Sequence, residues 1–83
     1  MAILKSVGEQ GVNDKVDVKV IQAGLNLAQS SNFKLKNRLV VDGKVGNKTI
    51  NAIEAFQKII VKLKHPDSRV DAGGTTLKIL KKI

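Results

Sequence analysis

Apolar residues recur at helical spacing in the first third of the chain. Four of them fall on one face of a helix: Val18, Ile21, Leu25 and Ala28. Asp14 directly precedes this segment and is a favourable N-cap residue. The polar cluster Ser30-Ser31-Asn32 is typical of a helix end. The pattern therefore predicts a first helix between Asp14 and Ser30.

Two further segments have helical periodicity. A second helix is predicted to be capped by Gly46 or Asn47 and to end before Pro66, which removes a backbone donor. Its predicted inner face is Ile50, Ile53, Phe56 and Ile60. The stretch IIVKLK near its end is apolar nearly all round, so we expect it to be covered or to lie against a partner. The last segment, TTLKILKKI, predicts a third helix docked through Leu77, Leu80 and Ile83.

The segments between these helices have no clear strand pattern. SVGEQGVN at 6–13 is predicted to be an opening loop, and HPDSRVDAGG at 65–74 a long second loop. FKLKNRLVV at 33–41 alternates only at first, which favours a connector with at most a short β-bridge. We therefore predict an all-α fold: one domain over residues 1–83, a compact three-helix bundle with long structured loops.

The two long corners resemble each other in sequence. DGKVGNKT at 42–49 and DSRVDAGGTT at 67–76 both place an acid, a small residue, a base and a valine before glycine and threonine. The second corner has two extra residues. This weak internal similarity predicts two corners of related shape rather than a solenoid.

Composition limits the chemistry and the partners. The 83 residues contain no cysteine, so neither a disulfide nor a thiolate metal site is expected. Lys and Arg number 15 against 7 Asp and Glu, a net charge of +8, which favours anionic partners such as nucleic acid, an acidic membrane surface or anionic cell-wall polymers. No apolar run is long enough for a membrane span or for the core of a signal peptide. We expect synthesis in the cytoplasm and another exit route for any role outside it.

No arrangement of residues indicates catalysis. His65 is the single histidine, and Asp67 and Asp71 lie in a glycine-bearing loop where capping is the ordinary role of aspartate. The stretch at 42–49 lacks the spacing of a P-loop. We therefore predict a non-enzyme without metal or cofactor. We do not expect nucleic-acid binding to be the main role, because two phenylalanines form a poor stacking platform and both connections are too long for a helix-turn-helix. A binding module remains.

Three segments carry a resemblance to peptidoglycan-binding domains. DVKVIQAGLN at 17–26 is similar to their first-helix signature, V-x-x-[LVI]-Q-x-x-L-N. DGKVGNKTINAIEAFQ at 42–57 resembles their second signature, D-G-x-x-G-x-x-T-x-x-A-[IV]-x-x-F-Q. DSRVDAGGTTLKIL at 67–80 resembles a closing segment found in phage lysins and secreted antibacterial proteins. The resemblance covers residues 6–80. The sequence departs from it at Asn47 and Ala72, where proline is usual, and at Ser68, where glycine is usual.

The resemblance implies a three-helix fold that holds a cell-wall hydrolase on its polymer. It implies that the first corner and its neighbour form the rim of a shallow groove for a glycan strand or stem peptide. In that corner Asp42, Gly43 and Gly46 also have a structural interpretation, as a tight turn tied to backbone amides. Exposed polar neighbours are the other groove candidates: Gln22, Asn26, Lys44, Lys48, Thr49 and Arg69. The alternative is an adaptor that binds an effector or phage structural protein through Ile59, Ile60, Val61 and Leu63.

Overall fold

The computed structural model describes residues 1 to 83. The chain forms three helices and two short strands, joined by loops. The helices are α1 (Lys15–Leu27), α2 (Asn47–Phe56) and α3 (Thr75–Lys81), and the strands are β1 (Val7–Gly8) and β2 (Arg69–Val70). One π-helical turn, Gln57–Val61, continues α2.

The prediction of an all-α fold is wrong, because β1 and β2 pair as an antiparallel sheet. Val7 lies opposite Val70 and Gly8 opposite Arg69. With 42% of its residues helical and one two-stranded sheet, the chain has a small mixed α/β fold. β1 lies in the segment predicted as an opening loop. Two-residue strands are too short to produce an alternating pattern, so the periodicity of the sequence does not reveal them.

Gly8 allows the two strands to approach each other. Its φ is +124°, a conformation that only glycine adopts readily. A Cβ at this position would overlap the carbonyl oxygen of Ser68 and lie 2.8 Å from the Cα of Arg69. Next to it, the backbone N–H of Glu9 donates to Ser68 O at 3.0 Å. The N-terminal segment is thereby fixed to the second corner.

Helix α1 begins as the sequence predicts. Asp14 is its N-cap and accepts a hydrogen bond from the backbone N–H of Val16 at 3.1 Å. The predicted inner face is confirmed, since all four of its apolar residues are buried. Asp17 is also buried, and its carboxylate accepts hydrogen bonds from the backbone N–H groups of Leu4 (3.2 Å) and Lys5 (3.0 Å). α1 therefore holds the N-terminal segment as well as the core.

Helix α2 starts after the N-cap Gly46, as predicted. Ile53 and Phe56 are fully buried, and the ring of Phe56 meets that of Phe33 edge to face at a centroid distance of 5.4 Å. The π-helical turn that follows α2 ends at Val61. Its C-cap, Lys62, has the left-handed conformation and lies four residues before Pro66. The proline thus lies beyond the helix end, as its missing N–H requires.

The chain itself covers only part of the apolar end of this helix, so the expected alternative of a partner there stays open. Ile60 and Val61 pack against the core, but Ile59 is 42% exposed and Leu63 36%. In α3, Leu77 and Leu80 are buried as predicted. The prediction that Ile83 docks is wrong, because α3 ends at Lys81 and Ile83 is exposed beyond the helix.

Candidate functional site

The side chain of Gln22 fixes the first corner to α1. Its Nε2 donates to three oxygens: Asp42 Oδ1 at 3.2 Å, Lys44 O at 3.0 Å and Thr49 Oγ1 at 3.1 Å. Its Oε1 accepts from the backbone N–H groups of Asp42 (3.1 Å) and Gly43 (3.0 Å). A primary amide has two hydrogens to donate, so the three oxygens share them. One buried side chain thereby ties the corner to α1 and to the first turn of α2.

Asp42 closes the turn itself. Its Oδ1 accepts a hydrogen bond from the backbone N–H of Lys44 at 2.9 Å. That bond, together with the one from Gln22, lowers the pKa of Asp42 below its ordinary value of 3.8. Gly43 has a φ of +77°, so the interpretation of a tight turn is confirmed there. Gly46 has a φ of −129°, which any residue adopts, and the turn does not require glycine at that position.

Gln57 does the same for the second corner. Its Nε2 donates to Asp67 Oδ1 at 2.9 Å, Arg69 O at 3.0 Å and Thr76 Oγ1 at 3.1 Å. Its Oε1 accepts from the backbone N–H of Ser68 at 2.9 Å. The predicted similarity of the two corners is thus confirmed by their hydrogen bonds. Each corner is held by one buried glutamine from the preceding helical segment.

The two corners also match in the backbone conformation of their second residue and in the lowered pKa of their aspartate. Ser68 has a φ of +58°, the left-handed conformation that Gly43 has in the first corner. Its hydroxyl donates to a carboxylate oxygen of Glu54 at 3.3 Å. Partial burial raises the pKa of Asp67, but the hydrogen bonds from Gln57 and from the Arg69 backbone and the Arg69 charge outweigh it, so the pKa lies below 3.8.

The two corners differ in charge. A cleft of about 320 Å³ opens at the first corner, and its rim has three cations, Arg38, Lys44 and Lys48, against one carboxylate, Asp42. No ion pair of the chain involves any of these cations. The N-terminus of α2, at the same cleft, has no side-chain cap. The first cleft therefore attracts anions.

The second corner neutralises its own base. Arg69 Nε donates to Asp71 Oδ1 at 2.9 Å, and Arg69 Nη2 lies 3.5 Å from Asp67 Oδ2. These two carboxylates raise the pKa of the guanidinium, the bond to Asp71 having the larger effect. The cleft at this corner is smaller, about 210 Å³, with two carboxylates against one cation. It has no free positive charge to offer a ligand.

The structure separates the candidate residues into different environments. Gln22, Asn26 and Thr49 are 1%, 5% and 4% exposed, so the expectation that they are exposed is wrong. Asn26 holds the connector by two hydrogen bonds to the backbone of Leu39, at 2.9 and 2.8 Å. These amides and this hydroxyl position loops. Arg69 lies at the second corner, away from the first cleft.

The remaining candidates lie together. The first cleft is lined by Asp42, Lys44, Gly46 and Lys48, and the largely buried Gln22 and Thr49 also contribute to its lining, while Gly43 is buried in the turn. Sequence reasoning missed the contribution of the connector, which adds Arg38, Leu39 and Val40 to the cleft.

A second basic cleft adjoins the first. It has a volume of about 360 Å³ and shares Leu39 and Lys48 with its neighbour. Lys34 and Lys36 extend its positive rim, over an apolar floor made by Leu35, Leu39, Ala52 and Ala55. The alternation of lysine with apolar residues in FKLK is the sequence pattern from which this cleft could have been predicted.

No helix combines the length and the apolar composition that crossing a bilayer requires. No cluster of three or more His, Cys, Asp or Glu side chains is arranged to hold a metal ion. Comparison with family models, with curated proteins and with solved structures gives no significant match to this chain.

Proposed function

We propose that this chain is a non-catalytic peptidoglycan-binding module that anchors or targets a wall-active protein. The observation that carries the proposal is the open cationic cleft at the first corner. Lys44, Gly46 and Lys48 line it, and they belong to the segment at 42–57 that resembles the second signature of peptidoglycan-binding domains. The partner would be a glycan strand or stem peptide, and the attached protein a cell-wall hydrolase or an effector.

The form of the cleft predicts weak binding. It is shallow and exposes charged side chains, so each ion pair with a ligand would contribute on the order of 0.2–1 kcal/mol. Wall polymers repeat their binding units, so weak single contacts suffice when the module is attached to an enzyme. Action at the wall follows delivery by lysis, by secretion or by fusion to a larger protein.

The direct test is retention of the protein by purified, nucleic-acid-free peptidoglycan sacculi. The cleft variant is Lys44→Gln with Lys48→Gln. Its charge-matched control is Lys78→Gln with Lys82→Gln, at positions on α3 and just after it that line none of the clefts. We expect wild type and control to be retained, and the cleft variant to bind about 3- to 10-fold more weakly. Circular dichroism checks that all three proteins fold.

The outcomes separate the claims. If folded wild-type protein is not retained even at low salt, peptidoglycan binding is wrong. If all three proteins are retained equally, binding occurs outside the first cleft. Equal weakening of the cleft variant and the control would show that only net charge matters.

One observation favours a second candidate, an adaptor that binds an effector or a phage structural protein. Ile59 and Leu63 are exposed near the end of the π-helical turn, where apolar side chains were expected to be covered or to lie against a partner. If this surface docks a protein, it should bind a hydrophobic fluorescent dye, and Ile59→Lys with Leu63→Lys should abolish that signal. Equal dye fluorescence from both proteins would count against the adaptor.

A further inference from the structure

The second corner contains a group that the first corner lacks. Residues 42–45 and 67–70 correspond one to one, as acid, small residue, base and valine. After Val70 the second corner inserts its two extra residues, of which Asp71 is the first. After Val45 the first corner passes directly to Gly46, the N-cap of α2. The first corner therefore has no carboxylate at this point.

The missing group is the partner of the corner's base. In the second corner, Asp71 Oδ1 accepts a hydrogen bond of 2.9 Å from Arg69 Nε. Lys44 is the corresponding base in the first corner, and it forms no ion pair. Each corner is thus a turn held by one buried glutamine, a feature we call a clasp. Its base faces a carboxylate in the second corner and an open cleft in the first.

The first cleft has room for such a carboxylate. A Cβ built on Gly46 would meet no atom within 4 Å, so the space beside the N-cap is open. Lys48, in the first turn of α2, lines the same cleft, and the turn has no side-chain cap. Two ammonium groups and a helix N-terminus all favour an anion here.

We propose that the first cleft recognises a ligand carboxylate, which occupies the place that Asp71 fills in the second corner. The ligand's identity rests on the proposed function: the group bound would be a free carboxylate of a peptidoglycan stem peptide, rather than the glycan. Lys44 and Lys48 donate charge-assisted hydrogen bonds to it. The second corner does not bind the ligand, because the carboxylate of Asp71 already pairs with Arg69.

The first experiment compares two synthetic probes. One is the peptide alanyl-γ-glutamyl-lysyl-alanyl-alanine with free carboxylates, and the other is the same peptide with every carboxylate amidated. Each is titrated into the isotope-labelled 83-residue chain while backbone amide resonances are followed. We expect the free peptide to bind at least about 5-fold more tightly and to shift the resonances of residues 43–49. Equal affinities, or shifts confined to residues 67–76, would overturn the proposal.

Substitution of Gly46 tests the correspondence with Asp71. Gly46→Asp places an internal carboxylate beside Lys44 and should weaken the free peptide about 10-fold, while Gly46→Asn adds similar bulk without charge and should weaken it less. Ser31→Asp, at an exposed position that lines no cleft, controls for the change in net charge and should bind as wild type does. Equal losses for the Asp and Asn variants would overturn the proposal, because bulk alone would explain them.

A further variant tests the carboxylate site without any change at Gly46, whose substitution could alter the turn. Lys44→Gln should reduce the preference for the free peptide over the amidated one, because only Lys48 and the helix N-terminus then remain to bind the carboxylate. An undiminished preference in this variant would contradict the assignment of Lys44.

The two proposals fail in different ways. Retention by sacculi without any preference for free carboxylates leaves the proposed function and removes the carboxylate site. A carboxylate preference at residues 43–49 without retention by sacculi keeps the site and removes peptidoglycan as its ligand.

Discussion

Gly43 and Gly73 have almost the same positive φ in different surroundings. Their φ angles are +77° and +74°. A Cβ at Gly43 would lie 2.9 Å from the carbonyl oxygen of Lys15, whereas one at Gly73 would meet nothing within 4 Å. The pair therefore separates backbone strain from a steric clash.

We predict that Gly73→Ala lowers the free energy of unfolding by about 1 kcal/mol, through strain alone. Gly43→Ala should cost roughly 2–4 kcal/mol, because the turn must also move away from Lys15. Denaturant unfolding of both variants measures the difference. Equal losses would mean that the first corner yields easily.

Substitution of Gln22 or Gln57, the glutamines of the two clasps, should also lower the free energy of unfolding. Gln22→Ala removes five hydrogen bonds and leaves buried backbone and side-chain groups without partners, so we expect a loss of about 2–4 kcal/mol. Gln57→Ala should cost a similar amount, since its bonds are nearly the same. Thermal and denaturant unfolding measure both. A loss under about 0.5 kcal/mol at either position would contradict the structural role.

The corner acids predict the response to pH. Asp42 and Asp67 both have a pKa below 3.8 in the folded chain. A lowered pKa means that the ionised form stabilises the fold, so this contribution is complete above about pH 4 and is lost as the pH falls through the folded values. The free energy of unfolding should therefore decrease between about pH 4 and pH 2. Asp42→Asn with Asp67→Asn should decrease less over that range, and an unchanged pH profile would contradict the assignment.

At the scale of elements, the sheet depends on one residue. A side chain at Gly8 would overlap the carbonyl oxygen of Ser68, so Gly8→Ala should separate β1 from β2. We expect the amide of Glu9, which donates to Ser68 O, to lose its protection from hydrogen exchange. Gly73→Ala is the control, because it adds a methyl group at a positive φ without a clash. Retained protection of Glu9 would show that the strands tolerate the side chain.

The sequence predicted the helices and missed the sheet for physical reasons. Val18, Ile21 and Leu25 repeat with the helical period, so their burial follows from spacing alone. β1 and β2 have two residues each and pair across about sixty positions, which no local pattern records. Gln22 was expected at the surface because glutamine is polar. Its burial depends on Asp42, twenty residues later, which supplies its partners only after folding.

For the molecule as a whole, salt should act on binding and stability in different ways. The three ion pairs all involve partly exposed side chains, so screening them costs little stability. The net charge of +8 favours the binding of anions, and the excess positive side chains also repel one another in the folded chain. We predict that raising salt from about 50 to about 500 mM weakens retention by sacculi, while the free energy of unfolding stays constant or rises. Binding unaffected by salt would remove the electrostatic part of the proposal.

The two clasps close chain segments of different length, and this affects the order of folding. Gln57 meets Asp67 across ten residues, whereas Gln22 meets Asp42 across twenty. Doubling a loop adds about 0.6 kcal/mol of closure entropy, so the second corner should form earlier along the folding pathway. The first corner should then form after the second corner and open before it. The cleft proposed to bind ligand would belong to the corner that opens more readily, and a bound ligand would slow that opening.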